Sequence, residues 1–283
     1  VKSRRLTQPD RVQRLLLTGD PAAVLGEIAD LTLFDDPVLE RARDDVGLWL
    51  ERGYGMVSVL DEEYPARLRD VREAPAILYY EGDLRSTDQG VCVVGSRQAD
   101  EAALEVASYA SRSLVEAGLT VVSGLAAGID AAAHTSALEA GGRTVAVMGT
   151  GLERTYPTQN AELRRRIAGD GGLVITQFEP GATVTRASFP MRNAVMSGYG
   201  ITTFVVAASE HSGTRTQARN AVKHGRGVIL SRRVARETSW GQEMANSGEA
   251  LVAERTADIL EHVGALQTER ALAEELLREL ASL

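Results

Sequence analysis

From Gly90 onward, short apolar runs alternate with longer mixed stretches. Val91–Gly95, Leu119–Ser123, Thr144–Met148, Leu173–Thr176, Thr203–Ala207 and Gly227–Leu230 are each rich in Val, Ile or Leu. Continuous apolar runs of this length are what strands buried on both faces of a parallel sheet require. Between them, Glu101–Ala117, Ala131–Ala140, Gln159–Ala168, Met191–Gly198 and Thr214–His224 read as helices. The alternation predicts a doubly wound α/β fold with right-handed crossovers and a mostly parallel sheet. Ligands of such sheets sit at the carboxyl ends of the strands, near the point where strand order reverses.

The flanks differ in pattern. Residues 1–52 read as a helical extension, with a helix start at Asp20-Pro21 and a second helix over Glu40–Leu50. A core spans 53–236. Its lead-in carries two short strands, Met56–Leu60 and Ala76–Tyr80, around a short helical piece. Residues 237–283 read as an acidic helical tail, with helices over Thr256–Val263 and Gln267–Leu280. Leu272, Leu276, Leu277 and Leu280 share one face of the last helix, most simply a packing face.

Composition narrows the picture. The chain has 283 residues, 44% of them hydrophobic and 25% charged, an ordinary globular balance. Its lone cysteine, Cys92, sits inside an apolar run and reads as a buried strand residue. One cysteine excludes a disulfide framework and fits a reducing cytoplasm. No apolar stretch approaches the roughly 20 residues of a membrane helix, and no signal peptide is expected from VKSRRLTQPD. No Cys/His group has metal spacing, so no metal or cofactor is expected.

The net charge of −8 argues against nucleic acid, but its distribution argues for it. Residues 1–84 carry −6, residues 85–236 carry +5 and residues 237–283 carry −7. Arg186 to Arg236 holds nine bases and one acid, Glu210. A basic stretch between acidic ends predicts a local binding trough; the competing expectation is a basic face neutralised by the chain's own acidic ends.

The loops after the strands hold the candidate chemistry. Gly95-Ser96-Arg97 offers a close backbone approach, a hydroxyl and a guanidinium fork. Ser123-Gly124 opens a tight turn that closes at Gly128 and Asp130, where Asp130 is placed as a helix N-cap. Such a turn is expected to leave backbone N–H groups free for an anion, although any α/β turn has similar ingredients. His134, one turn along, offers a phosphate contact or a base, or is a structural histidine. Ser212-Gly213 opens a later helix. Neither GxGxxG nor GxxxxGK[ST] occurs, so NAD binding and ATP hydrolysis are not indicated.

Taken in order, YPARLRDVREAPAILYYEGDL, VCVVGSR, the block from VVSGLAAGID to AELRRRI, FPMRNAVMSG and HSGTRTQA resemble the DNA-processing protein A family (DprA, also called Smf) over residues 64–226. The resemblance implies an extended Rossmann-like fold, a homodimer, no enzymatic activity, single-stranded DNA binding in a basic pocket, and delivery of that DNA to the RecA recombinase in natural transformation. Carried over by position, the pocket holds Gly95, Ser96, Arg97, Ser123, Gly124, Gly128, Asp130, His134, Arg192, Asn193, Ser212 and Gly213. Lys223 and Arg226 are added from the charge count. With about five phosphates contacted, the log–log salt slope would be roughly −3.5.

The chain departs from the family pattern in places. Gln98-Ala99 replaces Tyr-Gly, Ala194 the second arginine of RNR, Thr176-Gln177 the Ser-Glu, Ala207-Ala208 an acidic position and Ser231-Arg232-Arg233 the Pro-Gly. No segment of winged-helix size follows the core, so no second DNA reader is expected. Two alternatives remain. A lysine-decarboxylase-like nucleotide hydrolase would need a glutamate where Gln217 stands, and an amide cannot move that proton. A nucleotide-sensing protein would use the same rim for a small signal.

Overall fold

A computed structural model describes residues 37–281; the predicted helix start at Asp20-Pro21 lies outside them. The strands are β1 (Gly55–Ser58), β2 (Ile77–Gly82), β3 (Gly90–Gly95), β4 (Thr120–Ser123), β5 (Thr144–Val147), β6 (Leu173–Thr176), β7 (Thr202–Ala207), β8 (Gly227–Ser231) and β9 (Leu251–Ala253). The helices are α1 (Pro37–Glu51), α2 (Ala66–Arg69), α3 (Glu101–Glu116), α4 (Ile129–Glu139), α5 (Ala161–Gly169), α6 (Ser188–Tyr199), α7 (Gly213–Lys223), α8 (Arg232–Glu237), α9 (Ser239–Asn246) and α10 (Asp258–Ala281).

All nine strands join one sheet in the order β1-β2-β6-β5-β4-β3-β7-β8-β9. The seven from β6 to β9 are parallel, and β2 runs against β6 and β1. The chain starts its parallel part at β3, winds outward through β4, β5 and β6, then returns to β7 on the other side of β3. Strand order therefore reverses between β3 and β7, the place where an open α/β sheet leaves a crevice. This is the doubly wound, Rossmann-like α/β architecture that the alternation predicts.

The reason for the apolar runs is visible in burial. Every residue of β4, β5, β6 and β7 is buried, because helices cover both faces. One face packs Val57, Leu78, Cys92, Val122, Ile175, Val205 and Leu230 against α6, α7, α8 and α9, with Met196, Tyr199, Ala218 and Trp240 from the helices. The other packs Val91, Val93, Val121, Phe204 and Ile229 against Ala107 and Leu114 of α3, Ala133 of α4 and Val263 of α10. Trp49 of α1 meets Tyr79 of β2 edge-on at 5.4 Å. Cys92 is wholly buried, as expected, and burial pushes its thiol up to about 12.

The acidic C-terminal segment differs from its purely helical expectation. It supplies β9, which pairs in register with β8 through Ile229–Leu251 and Leu230–Val252, and its last helix runs unbroken from Asp258 to Ala281. Only the first part of α10 packs. Ile259 and Val263 are buried, and Leu266 lies over Gly227. Leu272, Leu276 and Leu280 are 57%, 60% and 65% exposed, so the expected packing face is solvent-facing in this chain.

The amino edge of the sheet is closed by a buried carboxylate. Asp88, just before β3, accepts from Thr120 Oγ1 at 2.7 Å, Arg143 Nε at 2.8 Å and Tyr199 Oη at 2.8 Å. Arg143 also donates to the carbonyls of Asp83 and Gly171. Four connections that enter parallel strands are thereby tied to one side chain.

Candidate nucleic-acid interface

The loop after β3 and the N-terminus of α7 face each other across the β3–β7 crevice. Ser96 N–H donates to the Ala207 carbonyl at 2.8 Å, which carries the pairing one residue past the strand end, and the chain then turns away at Arg97. On the far side Ser212 caps α7, its Oγ accepting from Thr214 N–H at 3.1 Å. α6 forms the floor, with Arg192, Asn193 and Met196. These elements enclose a cleft of about 490 Å³ lined by Gly95, Ser96, Arg97, Asp130, Arg192, Asn193, Ser212, Gly213, Thr214 and Gln217 among others. A smaller cleft of about 200 Å³ adjoins it along Gly124, Gly149, Tyr156 and Pro157, sharing Arg97, Ala126, Phe189 and Arg192.

Eight of the fourteen sequence-predicted site residues thus line the main cleft, and Gly124 lines the adjoining one. Their roles differ from expectation. Asp130 is not the N-cap of α4; Gly128 is, at φ 76°. A side chain at Gly128 would put its Cβ 2.4 Å from the Ser96 carbonyl oxygen, so glycine is needed for the two loops to touch. From the first turn of α4, Asp130 Oδ2 instead reaches back to accept from Gly124 N–H at 3.1 Å and Ala126 N–H at 3.3 Å. The amides expected to be free for an external anion hold the chain's own carboxylate. The turn around it takes Leu125 into the left-handed region at φ 57°.

Arg192 is the matching cation. It is 6% exposed and spans the floor, with Nη1 donating to the carbonyls of Gly124 and Val147 and Nε to Asn193 Oδ1. A Cβ at Gly124 would lie 2.0 Å from Arg192 Nη1, so a side chain there would displace the guanidinium from its place under the turn. Burial pushes the Asp130 carboxyl up, and the Arg192 charge and the two amides oppose it. Arg97 is exposed, and its guanidinium lies 4.8 Å from the Phe189 ring centroid at the junction of the two clefts. Tyr156 stands beside Phe189 at 6.1 Å and is 51% exposed.

Four predicted residues lie elsewhere. Ser123 is buried and donates to the Val93 carbonyl at 2.6 Å inside the sheet. His134 is fully buried behind β4, with Nδ1 2.7 Å from Thr144 Oγ1. Burial, then the Arg192 charge, pushes its pKa down to about 3; it is the structural histidine of the alternatives weighed. Lys223 ends α7 and Arg226 follows it, at the amino edge, where Arg226 donates to the Arg67 carbonyl at 2.8 Å.

The single basic trough expected from Arg186 to Arg236 does not form. Arg219 pairs with Glu243, Arg233 with Asp100 and Glu237, and Arg236 with Glu254. Three of those acids belong to the C-terminal segment, so the chain neutralises its own basic stretch there. Ala194, in the place of the family's second arginine, is buried and lines neither cleft. Phe189 and Gln217 do line the cleft but were not among the predicted contacts. Their spacing carries the signal: Phe189 is one helical turn before Arg192, and Gln217 is one turn after Gly213.

The profile of the family described as DNA recombination-mediator protein A matches residues 55–264. The chain belongs to this family. It is 36% identical to DNA processing protein DprA of Streptococcus pneumoniae over 216 residues, 74% of this chain and 76% of that one. It is 39% identical to Protein Smf of Synechocystis over 174 residues, 60% of this chain but 44% of that protein's length. The solved structure of the pneumococcal DprA superposes with a TM-score of 0.67 at 29% identity, covering 92% of this chain and 94% of that one. A solved DNA processing protein A from Helicobacter pylori, a family member with a described single-stranded DNA binding mode, shares the fold at TM-score 0.66 and 24% identity, covering 76% of this chain and 96% of that one.

Proposed function

We propose that this chain binds single-stranded DNA at the β3–β7 cleft and works as a carrier, not as an enzyme. The observation that carries this is the cleft itself: in a member of the DNA recombination-mediator protein A family, a strand-end crevice holds an exposed guanidinium, Arg97, above a buried one, Arg192. Arg97 meets phosphate, Arg192 supplies positive potential from beneath, and the α7 N-terminus favours the same charge. The crevice suits one unpaired nucleotide better than a duplex edge, because its floor lies below the loops. In support of a carrier, the one lining carboxylate, Asp130, is committed to backbone amides, and Gln217 occupies the position where a hydrolase would keep its glutamate.

Hand-over of the strand to RecA, a homodimeric state, a cytoplasmic setting and a role in transformation belong to the proposal through family resemblance. No described helix is long and apolar enough to cross a membrane. Co-sedimentation of RecA with strand-bound protein tests the hand-over, and sedimentation velocity tests the dimer.

The direct test is fluorescence anisotropy with a labelled oligo-dT and its duplex across a salt series. The single strand should bind more tightly. With two cleft arginines engaged, the log–log slope should be about −1.4, shallower than the charge count alone implies. Equal affinity for the duplex, or a flat salt response, would remove single-stranded DNA as the ligand.

A further inference from the structure

Asp130 is the one carboxylate among the described residues that line the main cleft. Its neighbours fix it there. Oδ2 accepts from the Gly124 and Ala126 amides, and the residue is 5% exposed, so it does not turn away into solvent. Arg192 Nη1 and Asp130 Oδ2 stand 2.0 and 2.8 Å from the point a Gly124 Cβ would occupy, so the two charges are neighbours under one turn. The Arg192 charge and the two amides favour the ionised carboxylate, and burial opposes them. Of the other lining residues only Arg97 is charged, so the cleft holds two guanidiniums and one carboxylate. Arg97 is the charge in excess.

A fixed carboxylate raises the energy of any anion in the cleft. The repulsion grows with the ligand's charge, and a buried charge is poorly screened, so it acts over several ångströms without contact. A phosphodiester inside a strand carries one negative charge. A terminal phosphate or a free mononucleotide carries close to two above its second pKa of about 6. Stripping water from the ligand also costs more for the more highly charged form. We infer that Asp130 sets which phosphates the cleft accepts, biasing it towards the singly charged phosphodiester inside a strand and against the doubly charged phosphate of a strand end or a free nucleotide. This role rests on the single-strand proposal above, which puts phosphate in the cleft. It is separable from holding the Gly124 turn, because an asparagine oxygen can accept from the same two amides.

The test uses the full chain and measures displacement of labelled oligo-dT at about two pH units above that second pKa. The two competitors are thymidine 5′-monophosphate and its methyl ester, which differ by one charge on nearly the same body. Asp130→Asn should strengthen competition by the monophosphate about fivefold more than competition by the ester, the size expected for one unit charge several ångströms away at an intermediate dielectric. Its direct affinity for oligo-dT should rise, and its log–log salt slope should steepen by up to about 0.7. A merely structural loss would weaken both competitors together and leave their ratio unmoved. Asp130→Ser, which keeps a short acceptor for the turn, should move the ratio in the same direction and stands in if the asparagine protein is unstable. An unchanged ratio in the folded variants, or competition by neither nucleotide in any of the proteins, overturns the role of Asp130 and leaves strand binding standing. Failure of wild type to bind oligo-dT removes the single-strand proposal, and the role of Asp130 with it.

Discussion

At the amino edge of the sheet, Asp88 is buried among three donors, and Arg143 beside it distributes its remaining N–H groups to two carbonyls. At the carboxyl edge, Asp130 and Arg192 are equally buried, but the cleft they floor keeps Gln217 unpaired and Arg97 exposed. Both edges spend charged side chains on holding loops. At the amino edge the Asp88 carboxylate and the Arg143 guanidinium meet their partners within the chain. The carboxyl edge holds its loops with one set of polar groups and keeps a second set incomplete. What separates the carboxyl edge is an open cleft that holds an exposed guanidinium above a buried one.

The largest effects should come from breaking either buried centre. Asp88→Ala strands Arg143, the Tyr199 hydroxyl and Thr120 without their acceptor, and should cost about 3–5 kcal/mol in urea unfolding. Arg192→Ala should cost a similar amount, because the buried Gly124 and Val147 carbonyls lose their donor and Asp130 loses the nearby positive charge. A stable Arg192→Ala protein would break the comparison, since it would make the carboxyl-edge pair dispensable.

His134 sharpens it through pH. Its folded pKa of about 3 lies below the ordinary 6.5, so the unfolded state binds the extra proton between those values. The histidine's contribution is complete above about 6.5 and is lost as pH falls toward 3, at about 1.4 kcal/mol per unit. His134→Gln should flatten that part of the urea-midpoint profile relative to wild type. An unchanged acid limb would mean that His134 is not held neutral.

Smaller effects separate the edges functionally. Arg97 is exposed, so Arg97→Ala should shift stability by under about 0.5 kcal/mol. It should weaken oligonucleotide binding about tenfold, as loss of a charge-assisted contact does. Lys223→Ala, at the amino edge, should change neither affinity nor salt slope; a slope that drops by about 0.7 would place Lys223 on a phosphate after all.

The chain's own pattern determined which segments are strands and helices, because Val-, Ile- and Leu-rich runs between amphipathic stretches have one stable arrangement, a sheet covered on both faces. It also placed the cleft: strand-end loops meet where the winding reverses, and Gly95, Ser96, Arg97, Arg192 and Ser212 were legible from their positions after those runs. Three things were decided only in three dimensions. The fate of the basic stretch depended on which acids fold back onto it, and Glu243, Glu237 and Glu254 do so from a segment whose ninth strand brings it alongside. The turn amides went to Asp130 because a tight glycine loop left its carboxylate the nearest anion. His134 left the site, and Gln217 entered it, because burial and the lack of a partner belong to the packed chain. A residue type shows what a side chain can bond; only its neighbours determine whether that bond is already made.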